Sequence, residues 1–341
     1  MKKKLLPALI VTGLIILVVI IMGITALINK YTPTKKTEDL KEYFNISSDD
    51  EAALIVDNEL SDYKAKIIDK KIYVDYKFVH DSLNSRFYWD ANENVLLYTT
   101  ASDIISAAAD SNSYSVTKQT NDFGYPIVKA TSDSALIALD YVKQYSNITF
   151  KSYDDPARIV ITSKWDEIDS ATVSKSTQVR VKGGIKSPIL KEVKKDDKIT
   201  ILDSGNKWDK VATEDGVIGY IKSKALSESK KTKLTNPDYE EETFTHIKKD
   251  KDICLAWNQV TSKSANSKVP QVISSTKGIN VMSPTWFYLN DNNGNLADIA
   301  SKDYVSYCHS QGIEVWGLFS NFENTDVDAA YVLTHTSTRT T

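Results

Sequence analysis

The chain has 341 residues, enough for two or three domains, and its 41% hydrophobic and 10% aromatic residues are ordinary for a protein with folded cores. Its formal net charge is −3 at pH 7. Because proteins that bind nucleic acid usually carry a basic face, this composition argues against DNA and RNA as partners.

The few cysteines and histidines limit the cofactors that the chain could hold. Cys254 and Cys308 are too few for a disulfide scaffold, and we expect both to be small buried residues, one on a strand and one on a helix. The histidines lack the spacing of metal ligands. They are His80, His246, His309 and His335. We therefore predict no metal and no other cofactor.

The N-terminus has the features of a membrane anchor. Lys2, Lys3 and Lys4 precede an uncharged apolar run at residues 5–28, and these 24 residues are enough to cross a bilayer as a helix. Basic residues before such a run predict a cytoplasmic N-terminus. A cleaved signal peptide is the alternative, but its apolar region is normally about 7 to 15 residues. We expect a single-pass protein of the cell membrane with the bulk of the chain, after Lys30, extracellular.

A charged, polar stretch at residues 29–45 is typical of a juxtamembrane stalk. The next region, 46–165, reads as a folded module in which a strand, a helical stretch and a hairpin occur twice, the second helix at residues 135–139. Val95 in the first copy and Ile159 in the second are 64 residues apart. This offset predicts an internally duplicated α+β module.

The first hairpin of this module carries the run Tyr88-Trp89-Asp90, with a second strand at Val95. Together with the preceding pattern I-x-x-K-x-Y-V-x-x-x-x-V, this hairpin resembles the small N-terminal domain of copper amine oxidases, a module of Gram-positive cell-surface proteins. The resemblance implies a spacer or a wall-binding module. We expect Tyr88 and Trp89 to be packing residues rather than ligand contacts.

Short β-type runs separated by turn residues at 172–227 predict a small all-β barrel. Asp215-Gly216 fits a hairpin turn with positive φ, and Gly219 allows close backbone approach. The order W-x-K-V-x-T-x-D-G-x-x-G-Y-I resembles bacterial SH3-like domains, which implies attachment to wall peptides. A barrel that only spaces its neighbours is the alternative. Residues 228–249 carry opposed charge runs and read as a linker.

The last segment, 250–341, has apolar runs at βα spacing. Strands are predicted at residues 253–257, 279–287 and 313–319, because short continuous apolar runs suit strands buried on both faces. A helix is predicted at 301–308, with Gly312 as its C-terminal stop.

Two runs in this segment carry a family resemblance: V-M-S-P-T-W-F-Y-L and D-Y-V-x-x-C-H-S-Q-G-I-E-V-W-G-L-F-S-N. They resemble glycoside hydrolase family 18 over residues 250–341, which implies the first part of an α/β (β/α)8 TIM barrel, a fold of roughly 250 residues. In that family a D-x-x-D-x-D-x-E motif supplies the general acid, and the N-acetyl group of the substrate attacks the sugar carbon. No such motif occurs here, so the catalytic residues are expected beyond Thr341.

Four residues at or just after the predicted strand ends are candidates for sugar binding: Trp257, Trp286, Tyr288 and Asn321. Residues at the carboxyl ends of barrel strands face the active site. Aromatic rings there can stack on a sugar, and Asn321 can hydrogen-bond to its hydroxyls. Glu314 begins the third strand and therefore lies at the end opposite to the catalytic one.

These observations predict a multidomain cell-envelope glycosidase of the family 18 type, which hydrolyses β-linked N-acetylglucosamine polymers such as peptidoglycan or a chitin-like glycan. The chain itself is expected to be catalytically incomplete. The alternative is a non-catalytic protein that binds the cell wall or acts as a scaffold. The partners expected are wall glycan or wall peptide, and the membrane.

An isolated fragment of residues 247–341 is predicted to be unstable or prone to aggregation. Three βα units leave an exposed sheet edge and unburied apolar faces. Urea unfolding of the purified fragment, followed by circular dichroism, should show no cooperative transition, and a sharp transition would contradict this prediction.

Overall fold

A computed structural model describes residues 2–246 and 248–340. The chain is multidomain and mostly β-sheet, with short helices and one long apolar helix at the N-terminus. The catalytic motif expected beyond Thr341 lies outside the described residues.

All helices except the first have nine residues or fewer. They are α1 (Lys2–Tyr31), α2 (Leu40–Tyr43), α3 (Tyr76–Phe78), α4 (Leu139–Gln144), α5 (Val269–Ser274), α6 (Lys302–Ser310), α7 (Ala329–Thr334) and α8 (Thr336–Arg339). A π-helical stretch, Val79–Leu83, continues α3, and 3-10 turns occupy Ser223–Ala225 and Lys263–Lys268.

The described residues form 24 strands. They are β1 (Glu51–Val56), β2 (Glu59–Ile68), β3 (Lys71–Asp75), β4 (Phe87–Asp90), β5 (Val95–Thr99), β6 (Ile104–Ala108), β7 (Ser113–Val116), β8 (Gln119–Asp122), β9 (Val128–Ala130), β10 (Ala135–Ala138), β11 (Thr149–Tyr153), β12 (Arg158–Thr162), β13 (Glu167–Thr172), β14 (Thr177–Arg180), β15 (Ile189–Val193), β16 (Lys198–Asp203), β17 (Trp208–Thr213), β18 (Ile218–Lys222), β19 (Lys230–Lys233), β20 (Leu255–Asn258), β21 (Val281–Leu289), β22 (Leu296–Asp298), β23 (Glu314–Val315) and β24 (Leu318–Ser320).

The chain divides into two compact units. Residues Met1–Val79 and Ile137–Glu240 form the first unit, and His80–Leu136 and Glu241–Thr341 form the second. The module predicted at 46–165 therefore contributes residues to both units. Its central part, which includes the first hairpin, belongs with the C-terminal segment of the chain.

Within α1, the 22 residues Ile10–Tyr31 have a mean hydropathy of 2.9 and are long and apolar enough to cross a membrane. Their side chains are exposed, as expected of a helix whose apolar surface no protein core covers. This agrees in length and composition with the anchor predicted at 5–28. The extracellular location of the rest of the chain stays a prediction.

In the first unit, one sheet places five strands in the order β11-β12-β1-β2-β3. β1 pairs parallel with β12, bringing Ala53 opposite Arg158, and antiparallel with β2. Ala52, Ala53 and Leu54 are fully buried, because β1 has a neighbour on each side and both faces are covered.

The other sheet of the first unit is antiparallel, with the order β15-β14-β18-β17-β16-β13-β19. The predicted turn is confirmed: Gly216 has a φ of +83° between β17 and β18. So is the close approach at Gly219, where a Cβ atom would lie 2.6 Å from the carbonyl oxygen of Arg180. None of the sheets formed by residues 2–246 and 248–340 closes into a barrel, so the SH3-like barrel and the TIM barrel stay predictions.

A buried ion pair joins the two sheets of the first unit. The Arg158 guanidinium at the start of β12 lies 2.5 Å from the Asp215 carboxylate in the β17–β18 turn, and its Nε donates to the Asp215 carbonyl oxygen. Lys191 and Thr213 contact the same carboxylate. Burial raises the pKa of Asp215, but the hydrogen bonds from Lys191 and Thr213 outweigh it and keep that pKa below its ordinary value.

The stretch predicted as a stalk, 29–45, packs against the first unit for much of its length. The Thr34 amide donates to a carbonyl at 2.8 Å, and the Ile189 amide at the start of β15 donates to the Lys36 carbonyl oxygen. Phe44 is buried in the core between the sheets. A few apolar residues among many charged ones are enough to dock this segment. The polar composition of the segment as a whole predicted a free stalk because it gave these few residues little weight.

The order of elements is repeated along the chain. The same series of elements occurs first as β3-α3-β4-β5 and again, after β6 to β9, as β10-α4-β11-β12. The two copies start at Lys71 and Ala135, which are 64 residues apart. The helix predicted at 135–139 is wrong, since Ala135–Ala138 is a strand and α4 begins at Leu139. A short apolar run is compatible with either structure, so periodicity could not decide between them.

In the second unit, β4 to β8 form an antiparallel meander. Trp89 on β4 is buried, which confirms its predicted packing role. Tyr88 is exposed, and the Arg339 guanidinium lies over its ring at 5.3 Å from the centroid. Tyr88 therefore packs against a cation rather than in a core.

The remainder of the second unit follows the predicted order of strands and helix only in part: the strand predicted at 313–319 is broken into β23 and β24, and β22 pairs antiparallel with β21. β20 and β23 pair parallel with the first half of β21, and β24 pairs parallel with its second half. α6 begins after Ser301, whose side chain accepts from the Tyr304 amide, and Gly312 follows its end with a φ of +74°, as predicted. Cys308 on α6 is buried as expected, whereas Cys254, which lies just before β20, is exposed and the expectation for it is wrong.

A buried carboxylate fastens the meander to the C-terminal helices within the second unit. Asp90 accepts hydrogen bonds from the Thr336 amide at 2.8 Å and from the Thr336 hydroxyl at 2.6 Å. Glu93 in the same turn accepts from the Ser337 amide. The C-terminal segment therefore uses partners that lie some 240 residues earlier in the chain.

Replacing Asp90 by alanine is predicted to destabilise the second unit by about 1–3 kcal/mol, since the Thr336 donors would lose a buried acceptor. Burial raises the pKa of Asp90, but hydrogen bonds from Thr336 and the backbone outweigh it, so that pKa is lowered. The stabilisation is therefore present at neutral pH and is lost as the pH falls below about 4. Urea unfolding at pH 7 and at pH 3 should show a smaller difference between wild type and variant at pH 3; Asp133→Ala, in an exposed loop, is the control.

Candidate functional site

The four predicted sugar-binding residues lie on three neighbouring parallel strands of the second unit. Trp257 is on β20, Trp286 and Tyr288 are on β21, and Asn321 directly follows β24. Since β20 and β24 both pair parallel with β21, the carboxyl ends of the three strands point the same way.

The structure places Trp286 in a core. Only 4% of its surface is exposed, its ring packs edge-on against Tyr304 of α6 with centroids 5.0 Å apart, and its indole N–H donates to the Asn266 side chain at 2.8 Å. Met282, four residues earlier on the same face of β21, belongs to this core as well. Trp286 therefore faces the helices and has no ring face free for a ligand.

Trp257 faces the other way. It is opposite Ser283 in the register of β20 and β21, whereas the preceding pair, Ala256 and Met282, packs with the core under α6. Because successive side chains on a strand alternate between faces, Trp257 lies on the face away from the helix. The residue is 76% exposed.

Further exposed aromatic residues follow from the third strand. Phe319 on β24 is 50% exposed and Phe322 is 75% exposed, and Ser320 between them is in register with Tyr288. Sequence reasoning missed both phenylalanines, although the run F-S-N-F at a strand end was a usable signal. We call the five residues near these strand ends the aromatic rim: Trp257, Tyr288, Phe319, Asn321 and Phe322. They share the strand ends rather than one face of the sheet, since Phe319 is in register with Phe287, which packs against the core under α6.

Two hydrogen bonds hold the end of β20, which carries Trp257. Asn258, next to Trp257, donates from its side chain to the Tyr304 hydroxyl at 2.7 Å. The Val260 amide donates to the Thr285 hydroxyl at 2.9 Å, which fixes the turn after β20 to β21. Burial raises the pKa of Tyr304 to about 12. The backbone that carries Trp257 is thus held by side chains on two other elements.

The carboxylates near these strands have partners of their own. Glu314, at the opposite end of the strands as predicted, lies 3.0 Å from the Lys249 ammonium group. Hydrogen bonds from Lys249 and Trp316 lower its pKa. Asp291 accepts from the Asn293 and Asn295 amides of its own loop. In the part of the chain that the structure describes, no three His, Cys, Asp or Glu side chains lie together as metal ligands would. Stacking and hydrogen bonding are therefore what the rim can offer a ligand.

The first unit carries a separate groove of about 600 Å³, which is within the usual range for a ligand site. The rings of Phe150 and Trp165 line it, together with hydroxyl groups and charged side chains. The hydroxyl and charged residues include Thr149, Thr162, Ser170, Thr200, Thr232, Lys151, Lys198, Lys230, Glu214 and Glu228. Its mixed lining of rings, aliphatic side chains, hydroxyl groups and charges makes it a second place at which a polymer could bind.

Comparison with known proteins gives little similarity. No protein-family model and no curated protein matches the chain. Among solved structures, the chain is similar to NlpC1 from Trichomonas vaginalis, with 13% sequence identity, 42% of this chain and 44% of that chain covered, and a TM-score of 0.17. It is also similar to CED-2, with 10% identity, 39% of this chain and 72% of that chain covered, and a TM-score of 0.15. The chain thus spans less than half the length of NlpC1, and both TM-scores are too low for either similarity to define fold or function.

Replacing Tyr304 by phenylalanine is predicted to destabilise the second unit by about 1 kcal/mol at pH 8, because Asn258 would lose its acceptor. The folded-state pKa of about 12 exceeds the ordinary value near 10. Wild-type stability should therefore fall as the pH rises from about 10 to 12, and the variant should escape this part of the loss. Urea unfolding at pH 8 and pH 11 measures both effects; an equal loss in the two proteins would rule out the assignment to Tyr304.

Proposed function

We propose that the chain is a membrane-anchored protein of the cell envelope whose second unit binds a β-linked N-acetylglucosamine polymer at the aromatic rim. The observation that carries this proposal is the exposure of Trp257 on the helix-free face, at the carboxyl end of a parallel strand. A largely exposed indole on a braced backbone is typical of a surface that binds a partner.

The anchoring part of the proposal rests on α1, whose apolar length suits a bilayer. With the three lysines at its start on the cytoplasmic side, both units lie outside the cell membrane, where wall glycan is the abundant polymer. Peptidoglycan and a chitin-like glycan present the same N-acetylated sugar, and either would suit a rim of aromatic rings and an amide.

The finer proposal is that the C-terminal segment belongs to a glycosidase of the family 18 type. The resemblance of residues 250–341 supports it, as does the parallel arrangement of β20, β21, β23 and β24 with α6 beside them. Cleavage needs a protonated carboxyl group at the leaving oxygen and a neighbouring carboxylate. The sequence holds no D-x-x-D-x-D-x-E motif, so we propose that these 341 residues bind the glycan without cleaving it.

A second candidate is a non-catalytic wall-binding or scaffold function centred on the first unit. The groove there favours it, since rings, hydroxyls and charges of both signs suit either a sugar chain or a wall peptide. The proposed SH3-like region at 172–227 supplies about a third of the lining residues, and wall peptide is the partner expected for it.

The test is co-sedimentation of the detergent-solubilised chain with purified peptidoglycan and with chitin. Replacing Trp257 by alanine should weaken binding about tenfold, equivalent to ~1.4 kcal/mol. The matched control is Phe244→Ala, which removes another exposed aromatic ring of the second unit, one that lies under the Arg86 guanidinium and is not a rim residue. Reducing ends should not be released by the chain.

Each alternative has its own outcome. Equal binding by the Trp257 and Phe244 variants would remove the rim from the proposal. Loss of binding on replacing Phe150 in the groove, with the rim variant unaffected, would establish the second candidate. Release of reducing ends by the unmodified chain would contradict binding without cleavage.

A further inference from the structure

The loop that joins β14 to β15, residues 181–188, lies against the end of α1. The Lys186 ammonium group donates to the Thr32 carbonyl oxygen at 2.8 Å and also to that of Asn29. The Thr34 amide donates to the Ile185 carbonyl oxygen at 2.8 Å. Residues 154 positions apart in the sequence are thus brought to the point where the apolar helix ends.

A buried guanidinium holds these two segments together. Arg180, which is 3% exposed, donates to the Ser187 carbonyl oxygen at 2.6 Å and to the Thr34 carbonyl oxygen at 3.2 Å. The Ile189 amide then donates to the Lys36 carbonyl oxygen at 2.8 Å. Because both segments bond to the same buried group and to a strand end, their contact is part of the fold of the first unit.

Positive charge is concentrated on these segments. Residues 29–37 and 181–188 contain five lysines and neither aspartate nor glutamate, although the whole chain has a net charge of −3. We call these lysines the lysine collar: Lys30, Lys35, Lys36, Lys182 and Lys186. All five residues are exposed, although the Lys186 ammonium group also bonds to carbonyl oxygens at the end of α1.

The position of the collar specifies the partner. With α1 across the bilayer, Lys30 and the exposed Tyr31 lie at the level of the lipid headgroups, where tyrosine and lysine are usual flanking residues. The loop contacts that end of the helix and therefore lies at the same level. Basic clusters within a Debye length of a membrane attract anionic lipids.

We propose that the lysine collar is a docking surface for anionic lipid headgroups, which holds the β14–β15 end of the first unit against the bilayer. This inference rests on the proposed anchoring of the chain by α1. It adds a second membrane contact, supplied by a loop far away in sequence, to the apolar span.

The test uses the full chain in nanodiscs of phosphatidylcholine alone or with phosphatidylglycerol added. Hydrogen exchange of the amides in 181–188, followed by mass spectrometry, should be several-fold slower in the anionic discs. High salt should abolish the difference, since exposed charges are screened. The variant Lys35→Glu with Lys182→Glu should also abolish it.

The matched control is Lys194→Glu with Lys195→Glu, which makes the same change of charge on exposed lysines just after the opposite end of β15. This control should retain the slower exchange in anionic discs. Equal exchange in the two kinds of disc, or equal behaviour of the two double variants, would overturn the collar proposal. Failure of the chain to stay with discs of either composition would instead overturn the anchoring by α1.

Discussion

The first unit depends on the buried contact between Arg158 and Asp215. It is the point at which a strand of one sheet meets the turn of the other, and the Phe44 ring lies 5.7 Å from the same guanidinium. Loss of Asp215 would leave the buried Arg158 guanidinium without its carboxylate, and breaking such a pair costs about 3–5 kcal/mol. The turn beside it is equally constrained, since a Cβ atom on Gly216 would lie 2.9 Å from Val160 of the first sheet. These contacts therefore join the two sheets, each of which could be a separate module, into one packed unit.

The sequence predicted what is decided locally. The turn at Gly216, the close approach at Gly219 and the helix end at Gly312 each follow from the conformations open to glycine, which depend on a few neighbouring atoms. The strands of the C-terminal segment were predictable from their continuous apolar runs, but the burial on both faces that such runs suggest is absent from β20 and β24, where Trp257 and Phe319 are exposed.

What the sequence could not reveal depends on long-range pairing. Ala53 pairs with Arg158, and the Asp90 carboxylate bonds to Thr336, so neither compact unit is continuous along the chain. A boundary drawn at 46–165 follows the repeat of elements and cannot show which copy of the hairpin joins which sheet. The sequence also could not predict which face of a strand is buried. Trp286 and Trp257 are both tryptophans near strand ends. Only the register with neighbouring strands shows that Trp286 packs under α6 and that Trp257 is exposed.

If α1 spans a bilayer, as proposed, the docked juxtamembrane segment also limits how the first unit can move relative to the membrane. A free linker of the length of residues 29–45 would let its ends separate and turn over about 20–25 Å. With Thr34, Lys36 and Phe44 fixed to the first unit, that freedom is gone and only the residues at the end of α1 remain to bend. The first unit is then joined to α1 by a short, fixed segment instead of a flexible linker. Its height above the bilayer and the direction it faces become properties of the fold, and rotation of the helix about its axis turns the whole unit with it.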